Sequence, residues 1–385
     1  MYNFQYYNPT KIFFGKDQIK ELDNILPKGK RIMIVYGGGS IKTNGVLSQV
    51  EEALKGNEVF FFSGIEPNPH YETCIKCVEE LKNNGIDFVL AVGGGSVIDA
   101  TKFIVAAFYY ENKNYWEILE TNGKYIKKAM PFGTVLTLPA TGSEMNSGSV
   151  ITKKETLEKR AFHSQLCFPQ FSILDPQVTF SLPDKQITNG IVDTFVHVIE
   201  QYLTYNVDNQ IGDRFSESIL STLIYCGERV FLDKTNYDIR ANLMWAATLG
   251  LNGLIACGSP EDWATHMIGH ELTAFYNLDH GVTLSIVLIG VMNIMKEEKK
   301  DKILQMGERV FNIYEGTIQE RIEKTIYATE SFFKQINSPT RLCEVGLDEK
   351  AIEPIVKRML DRNWSLGENG TINYEKVRLI LEDRL

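Results

Sequence analysis

The chain has 385 residues, 44% of them hydrophobic and 23% charged, which suits a globular protein of two domains with a large core. Its net charge of −9, with no basic cluster, argues against nucleic acid or an anionic membrane as a partner. The longest apolar run, Val282 to Met292, falls short of the ~20 residues of a membrane span, and the N-terminus lacks the basic and apolar regions of an export signal.

In chain order, Lys11-Ile-Phe-Phe14 reads as a short strand ended by Gly15, and a helix should end near Pro27-Lys-Gly29. Arg31-Ile-Met-Ile-Val-Tyr36 is a continuous apolar run, as expected of a strand buried on both faces. It stops at Gly37-Gly-Gly-Ser40. A helix over Val46, Leu47, Val50 and Leu54, the strand Glu58–Phe62 and a helix from Tyr71 to Asn84 follow. Cys74 and Cys77 lie on the last of these with Ile75, Val78 and Leu81. There is no second Cys-x2-Cys to complete a metal ribbon, so all six cysteines read as reduced thiols of a cytoplasmic protein.

Asp87 to Val92 is the next buried strand, again ended by glycines, Gly93-Gly-Gly-Ser96, and followed by a helix from Val97 to Phe108. Gly133 to Pro139 is one more strand, and 149–163 reads as a hairpin with a charged turn at Lys153–Glu158. Alternating strands and helices imply a parallel sheet covered on both faces. Beyond Ser181 strand signals vanish and helical periodicity continues to the end. The expected organisation is an α/β dinucleotide-binding domain, 1–180, and an all-helical domain, 181–385.

The two Gly-Gly-Gly-Ser turns, Gly37, Gly38, Gly39 and Ser40 and then Gly93 to Ser96, are candidate phosphate sites. Glycine lets backbone amides approach a ligand, and a helix N-terminus favours negative charge. Neither turn matches Gly-x-Gly-x-x-Gly, and Ser96 with Asp99 also fits a capping box that needs no ligand. Thr137 to Ser143 is a third polar turn at a strand end.

Four of the six histidines fall between Asp193 and His280. Asp193 and His197, and His266 and His270, are spaced i, i+4 within helical apolar patterns, so each pair shares one helix face at ~5–6 Å. With His280 they offer one carboxylate and up to four imidazoles to a divalent ion, donors that suit Zn2+ or Fe2+. The competing reading is separate core or surface histidines. A nucleotide domain joined to a helical metal domain implies a cleft. A dinucleotide beside a redox-silent metal points to hydride transfer.

These residues resemble the iron-containing, or group III, alcohol dehydrogenases, in particular the branch of NADPH-dependent aldehyde reductases and butanol dehydrogenases. The matching stretches are Tyr36-Gly-Gly-Gly-Ser40, Ile65-Glu-Pro-Asn-Pro69, Ala91 to Ser96, Leu136 to Glu144, Ala161-Phe-His-Ser164, Gly190-Ile-Val-Asp193, Asp262-Trp-Ala-Thr-His266 and Gly269-His-Glu-Leu272. The resemblance implies a parallel-sheet nucleotide domain and a helical metal domain, like that of dehydroquinate synthase. It makes Asp193, His197, His266 and His280 the metal ligands and places His270 beside the substrate as the catalytic group. It assigns Gly94, Gly95, Ser96 and Asp99 to the pyrophosphate and nearby ribose, and Pro67, Thr137, Leu138, Thr141, Ser143 and Lys159 to the rest of the dinucleotide path. It also implies a homodimer.

The implied reaction is reduction of a small aldehyde such as butanal, or oxidation of the alcohol, with NADP(H) and one Fe2+ or Zn2+. The proton could arrive through water, a ribose hydroxyl or His270. Leu254, Trp263, Met267 and Phe275, near the ligands in sequence, imply an apolar pocket. An alternative is a lyase like dehydroquinate synthase or a polyol dehydrogenase of the same fold; a phosphorylated sugar acid would need cations near the ligands, and residues 245–290 contain no lysine or arginine. A non-catalytic metal-binding protein would not need the glycine turns. NAD-preferring members of the resembled family often carry aspartate where Gly39 stands. Here Gly39, Ser40 and Lys42 set no carboxylate against a 2′-phosphate, so NADPH is the expected cofactor and Gly39→Asp would oppose it.

Overall fold

The computed structural model describes residues 1–385. Its elements run β1 (Lys11–Phe14), α1 (Leu22–Ile25), β2 (Arg31–Tyr36), α2 (Ser40–Thr43), α3 (Val46–Ala53), β3 (Glu58–Phe62), α4 (Tyr71–Asn84), β4 (Phe88–Gly94), α5 (Gly95–Phe108), α6 (Glu117–Glu120), β5 (Phe132–Leu138), β6 (Gly148–Lys153), β7 (Glu158–His163) and β8 (Phe171–Leu174). Helices alone follow: α7 (Asp184–Tyr202), α8 (Gln210–Val230), α9 (Tyr237–Gly250), α10 (Ala264–Tyr276), α11 (His280–Ile294), α12 (Lys300–Val310), α13 (Ile318–Gln335), α14 (Ile352–Asp361) and α15 (Tyr374–Glu382). No helix is long and apolar enough to cross a membrane.

Six strands form one parallel sheet in the order β1-β8-β5-β4-β2-β3, and β6 and β7 pair as a separate antiparallel ribbon. The unbroken apolar runs have a simple cause. Successive side chains alternate between two cores: Met33, Val35, Val89 and Ala91 enter one with α4 and α5, and Ile32, Ile34, Leu90 and Val92 enter the other with α3. β8 is the strand that the sequence pattern did not suggest, although Phe171, Ser172, Ile173 and Leu174 are all buried between β1 and β5.

Contacts divide the chain into two compact units. The sheet unit comprises Tyr7–Pro183 and Asp233–Thr248, and the helical unit comprises Met1–Tyr6, Asp184–Leu232 and Leu249–Leu385. A single cut at 180 therefore does not describe the division, because most of α9 belongs with the sheet unit.

Within the helical unit α7 is enclosed on all sides, with every residue from Gly190 to Tyr202 buried. Helix α11 is buried from Gly281 to Met292. These two, with α10, form the interior of the unit. Phe195 of α7 packs against Phe332 and Phe333 of α13, with ring centroids 5.6 and 5.3 Å away. Phe195→Ala should therefore cost about 3–5 kcal/mol, as large-to-small changes in tight cores do, read as a shift in the urea midpoint at unchanged slope.

Candidate functional site

The helical periodicity around the histidines is borne out, and it brings the two i, i+4 pairs together. Helix α7 presents Asp193 and His197 from its buried face, α10 presents His266 and His270, and α11 begins at His280. The start of α11 lies hard against α7: a Cβ on Gly281 would come within 2.8 Å of the Asn189 backbone. Only glycine permits that approach, and it carries the adjacent His280 towards Asp193.

Asp193, His266 and His280 each offer one ligand atom, all within 4.8 Å of one another. Oδ1 of Asp193 lies 3.7 Å from His266 Nε2, 3.6 Å from His280 Nε2 and 3.5 Å from His197 Nδ1. His197 stands just outside the tight trio, its ring stacked on that of His266 with centroids 4.5 Å apart. The ring of His270 lies 5.4 Å from that of His280 and 6.3 Å from that of His266, outside the trio.

Burial pulls His197 down to about 4, against the attraction of Asp193, so it is a neutral ring with a lone pair to give at neutral pH. His266 behaves oppositely. Burial lowers its pKa, but the Glu200 and Asp193 carboxylates outweigh this and hold it up at about 9. That surplus of negative charge is what a divalent cation would meet, displacing a proton as it binds. The donors fit such an ion: His197 Nδ1 and His266 Nε2 are buried without a hydrogen bond, a costly state that a metal relieves.

The start of α10 is built from carboxylates the histidine spacing did not reveal. Trp263, at the N-cap, adopts φ 61° and supplies no cap. Asp262 Oδ1 accepts from the Ala264 amide at 2.8 Å, and Glu200 Oε1 accepts from the Thr265 amide at 2.5 Å. Glu200 Oε2 pairs with His266 Nδ1. Glu200 lies three residues after His197 on α7, so its i, i+3 spacing was a usable signal. Asp262 is held by Lys299, whose ammonium donates to it at 2.5 Å, to the Leu203 carbonyl at 2.7 Å and to Glu368 at 2.9 Å.

In the sheet unit, the glycine turns follow β2 and β4. The connection from β2 crosses to β3 with α3 on one face, while β4 leads to β5 through α5 on the other. Neighbouring strands whose connections leave in opposite directions make a switch point, where open α/β sheets bind ligands. The first turn opens on the four-residue α2, and the second opens on the 14-residue α5. The N-cap of α5 is Gly94, with no side chain capping it, which leaves its N-terminus suited to an anion. Here Gly94 meets Leu138, which follows Thr137 on β5, and Gly95 meets Thr141, whose hydroxyl accepts from the Ser143 amide at 3.1 Å; Ser96 follows in the first turn of α5. Pro67 is exposed in the 63–70 loop, and Lys159 on β7 donates to Asn68 of that loop at 2.8 Å.

The capping box expected from Ser96 and Asp99 does not form. Asp99 turns inward: Oδ1 accepts from Ser143 Oγ at 2.6 Å and Oδ2 from the Val150 amide at 2.9 Å. Burial raises its pKa, against the pull of the buried Lys102.

The chain belongs to the iron-containing alcohol dehydrogenase family. Residues 9–176 match the family model described as iron-containing alcohol dehydrogenase, and residues 187–385 match that of the Fe-containing alcohol dehydrogenase family, C-terminal. The NADPH-dependent aldehyde reductase YqhD of Escherichia coli (strain K12) is 52% identical over 99% of both chains. The NADH-dependent butanol dehydrogenase A of Clostridium acetobutylicum is 38% identical over 98% of both. Among solved structures, that of E. coli K-12 YqhD is similar at a TM-score of 0.98, covering 100% of this chain and 99% of that one. A butanol dehydrogenase A from Thermotoga maritima, 36% identical, gives a TM-score of 0.94 with coverage of 100% and 99%.

One consequence concerns the charges behind α10. Burial, and the hydrogen bond with Asp262, push Glu368 up to about 7 despite Lys299. An unfolded glutamate titrates near 4.5, so the folded state holds the extra proton between these values. The associated stability is present below about 4.5 and lost as pH rises through about 7. Asp262 is shifted down and Lys299 up, which places their contributions outside this window. Across this window the urea midpoint of the wild type should therefore fall relative to that of Glu368→Gln; the difference isolates this group from His197, whose lowered pKa contributes the opposite slope.

Proposed function

We propose that the protein is an NADPH-dependent reductase of small aldehydes, working also as an alcohol dehydrogenase, with one Fe2+ or Zn2+ held by Asp193, His197, His266 and His280. The observation that carries this reading is the buried carboxylate ringed by imidazole nitrogens, two of them without a hydrogen bond. The 52% identical aldehyde reductase supports the substrate class. The six free cysteines fit a reducing cytoplasmic setting.

When bound, the metal would polarise a carbonyl oxygen and NADPH would supply the hydride. Once His266 has yielded its proton to the metal, the chain contributes a donor set of one carboxylate and neutral rings, which carries a single negative charge. His270 stands beside this set, and its ring lies 5.4 Å from that of His280, within reach of a role on the substrate side, holding a proton at a ring nitrogen. Trp263 packs edgewise against both His197 and His266, with centroids 6.1 and 5.3 Å away. The N-terminus of α5 and the first glycine turn would bind the two phosphate ends of the dinucleotide.

The ligand assignment separates His266 from His270. His266→Ala and Asp193→Ala should lose both metal and turnover, because too few donors remain to close the site. His270→Ala should keep the metal and lose rate. Elemental analysis of protein purified without oxygen decides this; a metal-free His270→Ala beside a loaded His280→Ala would reverse the assignment.

Cofactor choice can be tested at the first turn. Gly39 has φ +103°, so Gly39→Asp would strain the backbone as well as add charge. Gly38 is free of positive φ, and a Cβ there meets nothing within 4 Å. Gly38→Asp therefore tests charge alone. Two unit charges 4 Å apart repel by roughly 4 kcal/mol at an effective dielectric near 20, and solvent reduces that to ~1–3 kcal/mol, or about 5- to 150-fold in affinity. The wild type should prefer NADPH in kcat/KM, and Gly38→Asp should erase that preference. Equal use of NADH by the wild type, at equal concentrations below both KM values, would contradict the reading.

A further inference from the structure

Glu200 is a buried carboxylate, 2% exposed, that belongs to neither the proposed ligand set nor the substrate side. Both of its oxygens are committed to one place. Oε1 accepts from the Thr265 amide at 2.5 Å and from the His266 amide at 3.3 Å. Oε2 pairs with His266 Nδ1. A carboxylate accepts, so the proton in that contact sits on Nδ1 of the ring. The opposite nitrogen, Nε2, is then the one that gives up its proton and offers a lone pair when a metal binds. It makes no hydrogen bond and faces Asp193 Oδ1 at 3.7 Å.

Glu200 also sits on α7, the helix that bears Asp193 and His197. Its backbone carbonyl accepts from the Asp262 amide at 2.8 Å. One residue therefore ties the start of α10 to the ligand-bearing face of α7 and orients the His266 ring at the same time. We infer that Glu200 is a positioning residue for the metal: it fixes His266 as an Nε2 donor and holds α10 in register with Asp193. This rests on the metal reading given above. Outer carboxylates of this kind typically change metal affinity by about 10–100-fold when removed.

The alternative is that Glu200 merely caps α10, and Asp262 separates the two. Asp262 Oδ1 accepts from the Ala264 amide at the same helix end without touching the ring. Zn2+ affinity is measured by competition with a chromophoric chelator for wild type, His266→Ala, Glu200→Gln and Asp262→Asn, together with the thermal midpoint of each metal-free protein. Glu200→Gln should bind Zn2+ about 10–100-fold more weakly, and the visible spectrum of its Co2+ form should change. Asp262→Asn should lose thermal stability and keep the wild-type affinity.

Equal affinities in Glu200→Gln and wild type, or equal weakening in Glu200→Gln and Asp262→Asn, would overturn the inference. Nitrogen NMR of the histidine-labelled, Zn2+-loaded wild type needs no variant: a proton on His266 Nδ1 with the metal on Nε2 is expected, and metal on Nδ1 overturns the assignment. A wild type that takes up no more Zn2+ than His266→Ala would sink the metal reading itself, which distinguishes that failure from failure of Glu200 alone.

Discussion

Asp193 is a carboxylate with almost no access to water, set in the middle of the most enclosed helix of its unit. An ionised carboxylate in such a place is several kcal/mol out of balance unless it is paired. Three imidazoles stand around it, each about as close to Oδ1 as the others. Their spacing is slightly too long for hydrogen bonds and suited to a shared central ion. The packing around them follows from this need. Helix α11 must come within touching distance of α7, which requires Gly281, and α10 must begin where His266 can face inwards, which requires acceptors for amides that Trp263 leaves uncapped.

Those acceptors explain why so many charges are buried behind the site. A helix start needs hydrogen-bond acceptors and tolerates negative charge. Glu200 and Asp262 supply both, but two further buried carboxylates behind the site demand compensation. Lys299 provides it for Asp262, and Glu368 avoids adding a full charge by keeping its proton to an unusually high pH. The cluster is a chain of responses to one buried charge, each link held by ordinary hydrogen bonds.

How much of this was legible in the sequence depended on the distance between partners. Strands β2 and β4 announced themselves because both faces are buried, so after Arg31 at the start of β2 neither strand carries a charged residue. The two histidine pairs were legible because i, i+4 spacing is local. Strand β8 was not: four residues between Pro169 and Pro176, one of them Ser172, give too short a pattern to distinguish from a loop. Glu200 was within reach of the helical spacing but lay outside a search confined to histidine and its immediate partners. Asp262 could not be placed, since Lys299 and Glu368 are remote in sequence. The capping box suggested by Ser96 and Asp99 failed for the same reason in reverse: a local motif lost to Ser143, which offers a better partner from another turn.

The glycines of the second turn have a reason other than the one their sequence suggests. Glycine there seemed to serve the approach of a phosphate. A Cβ at Gly93 would lie 2.5 Å from Val97, at Gly94 2.9 Å from Leu138, and at Gly95 2.4 Å from Thr141. All three glycines are thus required by packing of the protein on itself, before any ligand is considered, much as the third glycine of a dinucleotide fingerprint serves helix–strand packing. What speaks for an anion is different: a 14-residue helix starts at a switch point of the sheet with no side chain to cap it. Uncapped termini also occur at α3, α4 and α11, so it is the position at the switch point, more than the missing cap, that suits an anion.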